Sequence, residues 1–278
     1  MTAASAALGE RTIKTWGKVK KAYKRTRCGY TRCITAKNKM IELGNPPNAA
    51  LLEAACEPYR NAGRFAYYFA RGKLRADPVY RAILELGLLL GRARVLDLGC
   101  GQGLLAAWLQ AAERCYERGS WPRAWPPAPR ALSTRGIELM ARDVERARCA
   151  LGSASEVSQA DIRNTAFGTV DAVVILDVLH YMTPQAQLEV LQRVRAALPP
   201  QGLLLLRVGD AGGGLRFRYG QWSDKLVMLL RGHAIVAQHC RSVAQWRLLL
   251  RDCGFDSEAK PMSQGTPFAN VLLIAHAT

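Results

Sequence analysis

The feature that most constrains this chain is the segment Val95–Gly103, in which an apolar run ends in three alternate glycines. The run predicts a buried strand over Arg94–Leu98, and the residues that follow Gly103 predict a helix. Gly99, Gly101 and Gly103 permit a tight turn and a close approach of the backbone to a ligand. This order of strand, turn and helix is typical of a doubly wound parallel sheet, which binds ligands at the carboxyl ends of its strands.

Short apolar runs alternate with helical patterns from Arg94 onward, as they do in βαβ units. We therefore predict an α/β fold, a doubly wound, seven-stranded, mostly parallel sheet with a helical N-terminal cap. After the first strand, strands are predicted at residues 134–138, 155–159, 171–177, 203–208 and 269–275. The predicted parts of the chain are a basic N-terminal arm, the helical cap and the sheet domain, at residues 1–45, 46–91 and 92–278.

The glycine-rich turn is unlike that of dinucleotide-binding proteins. A nicotinamide-type fingerprint requires a third glycine three residues after Gly101, where this chain has Leu104. An acid two residues before the first glycine, Asp97, also suits a ligand that bears an ammonium group better than one that bears a pyrophosphate, which prefers bare N–H groups. The turn therefore predicts a cationic ligand.

The glycine-rich segment resembles that of the class I S-adenosylmethionine-dependent methyltransferases, and the resemblance extends from about Arg94 to the C-terminus. It implies a Rossmann-like methyltransferase fold and S-adenosyl-L-methionine as cofactor. In the family, acids at these places orient the methionine end, hold the ribose hydroxyls and contact the adenine. The resemblance thus implies cofactor-binding roles for Asp97, Gly99, Cys100, Gly101, Gly103, Glu138, Leu139, Asp161, Ile162 and Asp177. Alternatively, Asp97 caps the loop, Glu138 is a surface acid and Asp161 is a turn residue.

The end of the fourth predicted strand, Leu176–Tyr181, resembles the family's segment between cofactor and acceptor. Methyl transfer is an in-line displacement, so the enzyme must align the acceptor and ready the nucleophile. A phenol, with a pKa of about 10, benefits from a base, and a histidine with a pKa near 6.5 is suitable. His180 is the predicted catalytic base and Asp177 its orienter or a wall of the cofactor pocket, unless His180 only packs or contacts the cofactor.

No metal is predicted, because no acidic or histidine cluster at metal-ligand spacing accompanies Asp177. Asp210, after the fifth strand, is an acid that could join it in space. The eight cysteines form no C-x-x-C pair and have no histidine at zinc-site spacing. With no secretory signal and no long apolar run, we expect reduced thiols in a cytoplasmic protein.

The acceptor site is predicted from the cap and from the fifth strand. The cap segment Phe65–Leu74 sets aromatic side chains beside cations, which could stack on an aromatic acceptor and hold a carboxylate or a carrier's phosphate. The candidate substrate contacts are Tyr67, Tyr68, Arg71, Lys73, Arg207 and Asp210. Alternatively, the aromatic side chains form the core face of a cap helix and the charges are exposed.

A narrower resemblance covers roughly Leu51–Ala275, to methyltransferases encoded with bacterial aryl polyene and related pigment pathways. It rests on the segments FARGKLRADPVYRAILELGLL, LDLGCGQGLLAAWL, GIELMARDV, VVILDVLHYM, LLLLRVGDAGGGLRFR and GTPFANVLL. It implies O- or C-methylation of a hydroxyaryl head group, free or attached to an acyl carrier protein. A basic surface would suit an acidic carrier.

The positive charge of the chain is concentrated at its start. Residues 1–40 hold eleven Lys or Arg against Glu10, which is +10 of the net charge of +17. Residues 11–27 could form a basic amphipathic helix on a membrane surface, peripheral to an inner membrane, or a solvated tail. One alternative function is methylation of RNA or DNA, although the sequence lacks the usual motifs of enzymes that methylate nucleic acids. Another is that of a non-catalytic, cofactor-binding scaffold at a membrane.

Overall fold

The computed structural model of the chain describes residues 49–214 and 238–278. All of them belong to one compact unit, residues 43–278. The predicted arm at 1–45 and the predicted helix within 11–27 lie outside the described residues.

From residue 49 onward, three helices precede the first strand: α1 (Ala49–Cys56), α2 (Arg64–Ala76) and α3 (Pro78–Glu85), with a 3₁₀ turn at Glu57–Arg60. A side-chain cap and a proline start α3. The Asp77 carboxylate accepts a hydrogen bond from the backbone N–H of Val79, and Pro78 occupies the first turn, where its missing N–H costs nothing.

Seven strands form one sheet in the order β3-β2-β1-β4-β5-β7-β6. The first five strands pair in parallel, whereas β7 runs antiparallel to both β5 and β6. Their bounds are β1 Arg94–Leu98, β2 Ser133–Glu138, β3 Glu156–Gln159, β4 Ala172–Leu176, β5 Leu203–Gly209, β6 Phe255–Pro261 and β7 Asn270–Ala277.

Among the residues that the structure describes, four helices connect these strands: α4 Leu104–Glu117, α5 Ala141–Leu151, α6 Pro184–Ala197 and α7 Val243–Asp252. Short polar side chains set the starts of the last two. Thr183 accepts from the backbone of Ala186 at the start of α6, and Ser242 forms a capping box with Gln245 at the start of α7.

The core lies on both faces of the sheet. Along β5, Leu203 and Leu205 pack into a cluster with α1–α5, while Leu204 and Leu206 pack into a second cluster with α6 and α7. Successive side chains of a strand point to opposite faces, so a strand that is buried on both sides must be apolar throughout. This arrangement explains the uninterrupted leucine run.

The predicted doubly wound, seven-stranded α/β fold is confirmed. The bounds of the six strands that the sequence located agree to within about two residues. The seventh, β6, was not located, because its sequence FDSEAKP is largely polar and its side chains alternate between buried and exposed only at its start. No helix in the described part of the chain has the length and apolar character needed to cross a membrane.

Candidate functional site

The glycine-rich turn between β1 and α4 leaves one position open. Gly99, Gly101 and Gly103 all have positive φ angles. A Cβ atom on Gly99 would overlap Val178, and one on Gly103 would lie 2.6 Å from Leu151 Cδ1. A Cβ atom on Gly101 would meet nothing within 4 Å. Packing therefore requires the outer two glycines, whereas Gly101 borders free space that a ligand can occupy.

Asp97 is a buried carboxylate without a hydrogen-bond partner. It is 8% exposed, and no hydrogen bond reaches its side chain from the described residues. Burial, with a further contribution from the charge of Glu138, raises the pKa of Asp97 to about 7. A buried anion of this kind is stabilised by a cationic ligand, which the amino group of S-adenosylmethionine would supply.

Glu138, the last residue of β2, lies beside the same turn. One carboxylate oxygen accepts from the N–H of Gly101 and the other from the N–H of Met140, both at 2.9 Å. Each oxygen keeps a second lone pair that can accept from a hydroxyl. This geometry fits the predicted contact with the ribose hydroxyls. Cys100, next to Gly101, is buried, and its thiol lies 2.6 Å from the place that a Cβ atom on Gly136 would take.

Of the residues predicted to contact the adenine, Asp161 and Ile162 are already engaged with the protein itself. The Asp161 carboxylate binds the side chain of Arg163, which holds the pKa of Asp161 below its ordinary range, and also accepts from the N–H of Arg163. Ile162 is 5% exposed and packs in the core, whereas Leu139 is 56% exposed. Leu139 therefore offers more apolar surface to an adenine ring than Ile162 does.

Asp177, which follows β4, is held by a buried arginine and not by His180. Arg207 on β5 is 1% exposed and binds both Asp177 and Asp77, with Arg207 Nε to Asp177 Oδ1 at 2.9 Å. Lys73 Nζ adds an ion pair to Asp77 at 2.8 Å. These charges hold the pKa of Asp77 at about 2, against the opposing effect of burial. No hydrogen bond joins Asp177 to His180.

Two further observations concern this network. Asp177 has a φ of 60°, a left-handed conformation that is strained for a residue other than glycine. Arg207 was predicted as a substrate contact, but its guanidinium is enclosed by two aspartates that belong to different parts of the chain. The structure thus makes Arg207 a link between β4, β5 and the start of α3.

His180 lies in the 3₁₀ turn Leu179–Tyr181, immediately after the end of β4. Its Nε2 atom is buried and has no hydrogen-bond partner among the described residues. Burial lowers the pKa of His180, an effect that the nearby charge of Asp177 opposes. The imidazole is therefore neutral at neutral pH. In that form it can accept a proton from a hydroxyl group.

The turn is fixed from behind by Gln187, a fully buried residue of α6. Its amide donates to the carbonyls of Leu179, Met182 and His239, and it accepts from Arg241. The N–H of His239 in turn donates to the carbonyl of His180 at 2.8 Å. Residues 238–241 are thereby attached to the His180 turn.

A cavity of about 390 Å³ opens in front of this turn. We call it the His180 cavity. Its described lining comes from α2, the start of α3, the end of β5 and the segment before β7. It includes Lys73, Asp77, Asp177, His180, Gln238 and Asn270. Val178, between Asp177 and the His180 turn, packs against Gly99, so the segment that carries His180 lies against the glycine-rich turn, although no residue of that turn is in the described lining of the cavity.

The structure brings only part of the predicted acceptor set together. Lys73 lines the His180 cavity, but Tyr67, Tyr68, Arg71 and Asp210 are not among its lining. Tyr68 is 63% exposed, and Arg71 forms an ion pair with Glu53 at 2.5 Å. The Asp210 carboxylate accepts from backbone N–H groups of Gly212 and Val243, so it does not join Asp177.

Sequence reasoning did not find two cavity residues, Asp77 and Gln238. Asp77 precedes a proline, a pattern typical of a helix cap. That pattern gives no indication of the ion pair that Asp77 also forms with Arg207. Gln238 lies in no motif. Within residues 49–214 and 238–278, no three His, Cys, Asp or Glu side chains are grouped as the ligands of a metal would be.

Comparisons with known proteins agree with this geometry. A family model described as "Methyltransferase domain" matches residues 65–260. The carboxy-S-adenosyl-L-methionine synthase of Chromohalobacter salexigens is 31% identical over 143 residues, which is 48% of this chain and 48% of that protein. The synthase of Geobacter sp. (strain M21) is 30% identical over 138 residues, 48% of this chain and 53% of that protein. The chain thus spans about half the length of these curated relatives.

Solved structures share the fold at low sequence identity. Human N-acetylserotonin methyltransferase in complex with SAM is 16% identical with a TM-score of 0.54, over 83% of this chain and 60% of that chain. An O-methyltransferase family protein from Burkholderia thailandensis is 20% identical with a TM-score of 0.56, over 79% and 62%. Mitomycin 7-O-methyltransferase is 19% identical with a TM-score of 0.52, over 82% and 68%.

Proposed function

Since the chain belongs to the methyltransferase-domain family, we propose that it methylates a hydroxyl group of a small hydroxyaryl acceptor in the His180 cavity. The cofactor is S-adenosylmethionine. The observation that carries the proposal is the unpartnered Nε2 atom of His180, a residue that lines the cavity and whose segment packs through Val178 against the glycine-rich turn.

The cofactor would be held by residues on three sides of the glycine-rich turn. Asp97 would bind the amino group of its methionine end, because a buried carboxylate without a partner gains most from a cation. Glu138 would accept from the ribose hydroxyls, and Leu139 would cover one face of the adenine. Gly101 leaves the space in which the ligand approaches the backbone. When bound, S-adenosylmethionine supplies an electrophilic methyl group.

His180 would act as the base. Its neutral imidazole would accept the hydroxyl proton of the acceptor at Nε2, which leaves a more nucleophilic oxygen. The Asp177 carboxylate would stabilise the imidazolium that results, through space and not through a hydrogen bond, since Arg207 holds it in place. Gln187 would keep the turn that carries His180 rigid.

The test is methyl transfer from labelled S-adenosylmethionine to phenolic acceptors by four proteins. His180→Ala and His180→Gln should each lower turnover by about 10²–10⁴-fold, the usual contribution of a positioned base. The cofactor Kd from calorimetry should stay within about threefold, because His180 is absent from the predicted cofactor set. His276→Ala, at an exposed histidine of β7, is the matched control and should retain full activity. Unchanged turnover in both His180 variants would refute the base.

The acceptor class rests on the narrower resemblance. That resemblance supports a hydroxyaryl head group of an aryl polyene-type pigment, free or attached to an acyl carrier protein, with oxygen or carbon as the methylated atom. The excess of Lys and Arg, 39 against 22 Asp and Glu, favours an acidic carrier as a partner. We favour oxygen over carbon because a base beside the cavity acts directly on a hydroxyl.

A second candidate follows from the curated relatives, which are named as synthases of carboxy-S-adenosyl-L-methionine. It is carboxylation of the cofactor itself, supported by 31% identity over about half of the chain. Carboxylation of the cofactor needs a donor of the carboxyl group, so the incubation contains phenolic acceptors and a bacterial extract that supplies such a donor. Mass spectrometry of the nucleoside products then distinguishes the two. A carboxylated cofactor without a methylated phenol would favour the second candidate, whereas S-adenosylhomocysteine with a methylated phenol would favour the first.

A further inference from the structure

A second residue of the lining of the His180 cavity, Gln238, has a buried polar atom without a hydrogen-bond partner among the described residues. We propose that Gln238 donates a hydrogen bond to a neutral carbonyl oxygen of the acceptor, so that the preferred substrates are hydroxyaryl ketones, esters or amides and not simple phenols or carboxylates. This inference rests on the proposed function, because it takes His180 as the partner of the hydroxyl group.

The first step is the state of the two side chains. The Nε2 atoms of Gln238 and His180 are both buried, and neither has a hydrogen-bond partner among the described residues. Both residues line the same cavity. Buried polar atoms are nearly always hydrogen-bonded, since leaving one unsatisfied costs on the order of 1–3 kcal/mol. Neither nitrogen is exposed to the cavity in the ligand-free chain, but both residues line it, so a rotation of each side chain toward the cavity would let one ligand satisfy both nitrogens.

The second step is the chemistry that each atom requires. The Nε2 of Gln238 is an amide nitrogen and can only donate. The Nε2 of a neutral His180 accepts, when the other ring nitrogen carries the proton. The complementary ligand therefore presents a hydroxyl donor to His180 and an oxygen acceptor to Gln238. A hydroxyaryl carbonyl compound has both groups on one rigid frame.

The third step decides between a carbonyl and a carboxylate. The charged side chains in the described lining of the cavity are Lys73, Asp77 and Asp177, which is one cation against two anions. Lys73 is already paired with Asp77 at 2.8 Å and lies 3.8 Å from Asp177. Arg207, outside the lining, pairs with both aspartates, so these four side chains balance in charge and the described lining holds no unpaired cation. A carboxylate ligand would lose its hydration there without a counter-charge, at an electrostatic cost. A neutral carbonyl has no such cost.

The experiment measures binding and does not depend on turnover. Calorimetry gives the Kd of phenol, of the three hydroxyacetophenone isomers and of the three hydroxybenzoate isomers for the full chain saturated with S-adenosylhomocysteine. The variants are Gln238→Leu, which removes the donor, and Gln238→Glu, which replaces it with an acceptor. Gln185→Leu, at an exposed glutamine of α6 outside the cavity lining, is the matched control.

For the wild-type chain, at least one hydroxyacetophenone should bind about tenfold more tightly than phenol, as one additional hydrogen bond would give. The same isomer of hydroxybenzoate should bind more weakly than the ketone. Both Gln238 variants should lose the tenfold advantage while their Kd for phenol stays the same, and Gln185→Leu should keep it.

Three results would overturn the assignment. These are a ketone advantage that survives Gln238→Leu, one that survives Gln238→Glu, and a hydroxybenzoate that binds more tightly than the matching ketone. Failure of the proposed function looks different. In that case no phenol of any kind binds the wild-type chain, or His180→Ala leaves methyl transfer unchanged.

Discussion

Replacing Asp97 by asparagine should stabilise the apo-protein while it weakens cofactor binding. The carboxylate is 8% exposed and has no hydrogen-bond partner among the described residues, and its pKa is raised from an ordinary 3.8 to about 7. The folded state thus holds the Asp97 proton more tightly than the unfolded state does. Folding stability is therefore lost as the pH rises from 3.8 through 7, and above pH 7 the loss is complete.

The size of this loss follows from the pKa difference. At 1.36 kcal/mol for each pH unit, the ionised carboxylate destabilises the fold by about 4 kcal/mol at pH 8 and by about 2 kcal/mol at pH 5.5. The asparagine amide removes the charge but brings two N–H donors where the protonated carboxyl has one O–H, at a cost of about 1–3 kcal/mol relative to that neutral carboxyl. Asp97→Asn should therefore gain roughly 1–3 kcal/mol at pH 8, and this gain should fall by about 2 kcal/mol at pH 5.5.

Urea unfolding followed by tryptophan fluorescence, without cofactor, measures both quantities. Asp256→Asn, at an exposed acid of β6, is the control and should change the free energy of unfolding by less than about 0.5 kcal/mol. The same Asp97→Asn protein should bind S-adenosylmethionine about 10- to 100-fold more weakly, since a hydrogen bond to a charged group contributes about 1.5–3 kcal/mol. Two results would contradict an elevated pKa of Asp97. One is an Asp97→Asn protein that is less stable than wild type at pH 8, and the other is a gain in the free energy of unfolding that is equal at pH 8 and pH 5.5.

Three further predictions concern the turn, the buried arginine and the base. Gly101→Arg should weaken cofactor binding at least 100-fold by calorimetry, because its side chain enters the free space beside the turn, while the circular dichroism spectrum stays unchanged. An unchanged Kd would exclude Gly101 from the cofactor site. Arg207→Met should lower the free energy of unfolding by about 3–5 kcal/mol in urea, because it strands Asp77 and Asp177, and a loss below 1 kcal/mol would contradict the network. With saturating cofactor, kcat should be flat above pH 6.5 and should fall about tenfold for each pH unit below the lowered pKa of His180, because only the neutral imidazole acts as a base. His180→Gln should abolish that acid limb.

The part of the site that could be predicted is local in sequence. The turn Gly99–Gly103 and the acid two residues before it form one recognisable pattern within a single segment. Glu138 is the last residue of a strand whose position in the sheet follows from the βαβ order. Helix starts at Thr183 and Ser242 also follow from short-range capping chemistry. Here the hydrogen-bond partners are few residues away, so pattern and structure agree.

The part that could not be predicted depends on contacts between distant residues. Arg207 and Asp77 are 130 residues apart, and nothing in either segment indicates that the sheet order brings them together. An arginine near the end of a strand is a plausible substrate contact. The burial of Arg207, however, depends on its pairing with Asp77, which lies in a distant part of the sequence. Gln238 faces the His180 cavity because Gln187 binds the carbonyl of His239, which is also a tertiary contact.

The most direct test of the account is to follow the label from methyl-labelled S-adenosylmethionine after incubation of the purified protein with a fractionated bacterial extract. The account predicts label in the organic-soluble or carrier-protein fraction, in a product that His180→Ala does not form. Label in the nucleic-acid fraction, or no transferred label with the cofactor tightly bound, would contradict it.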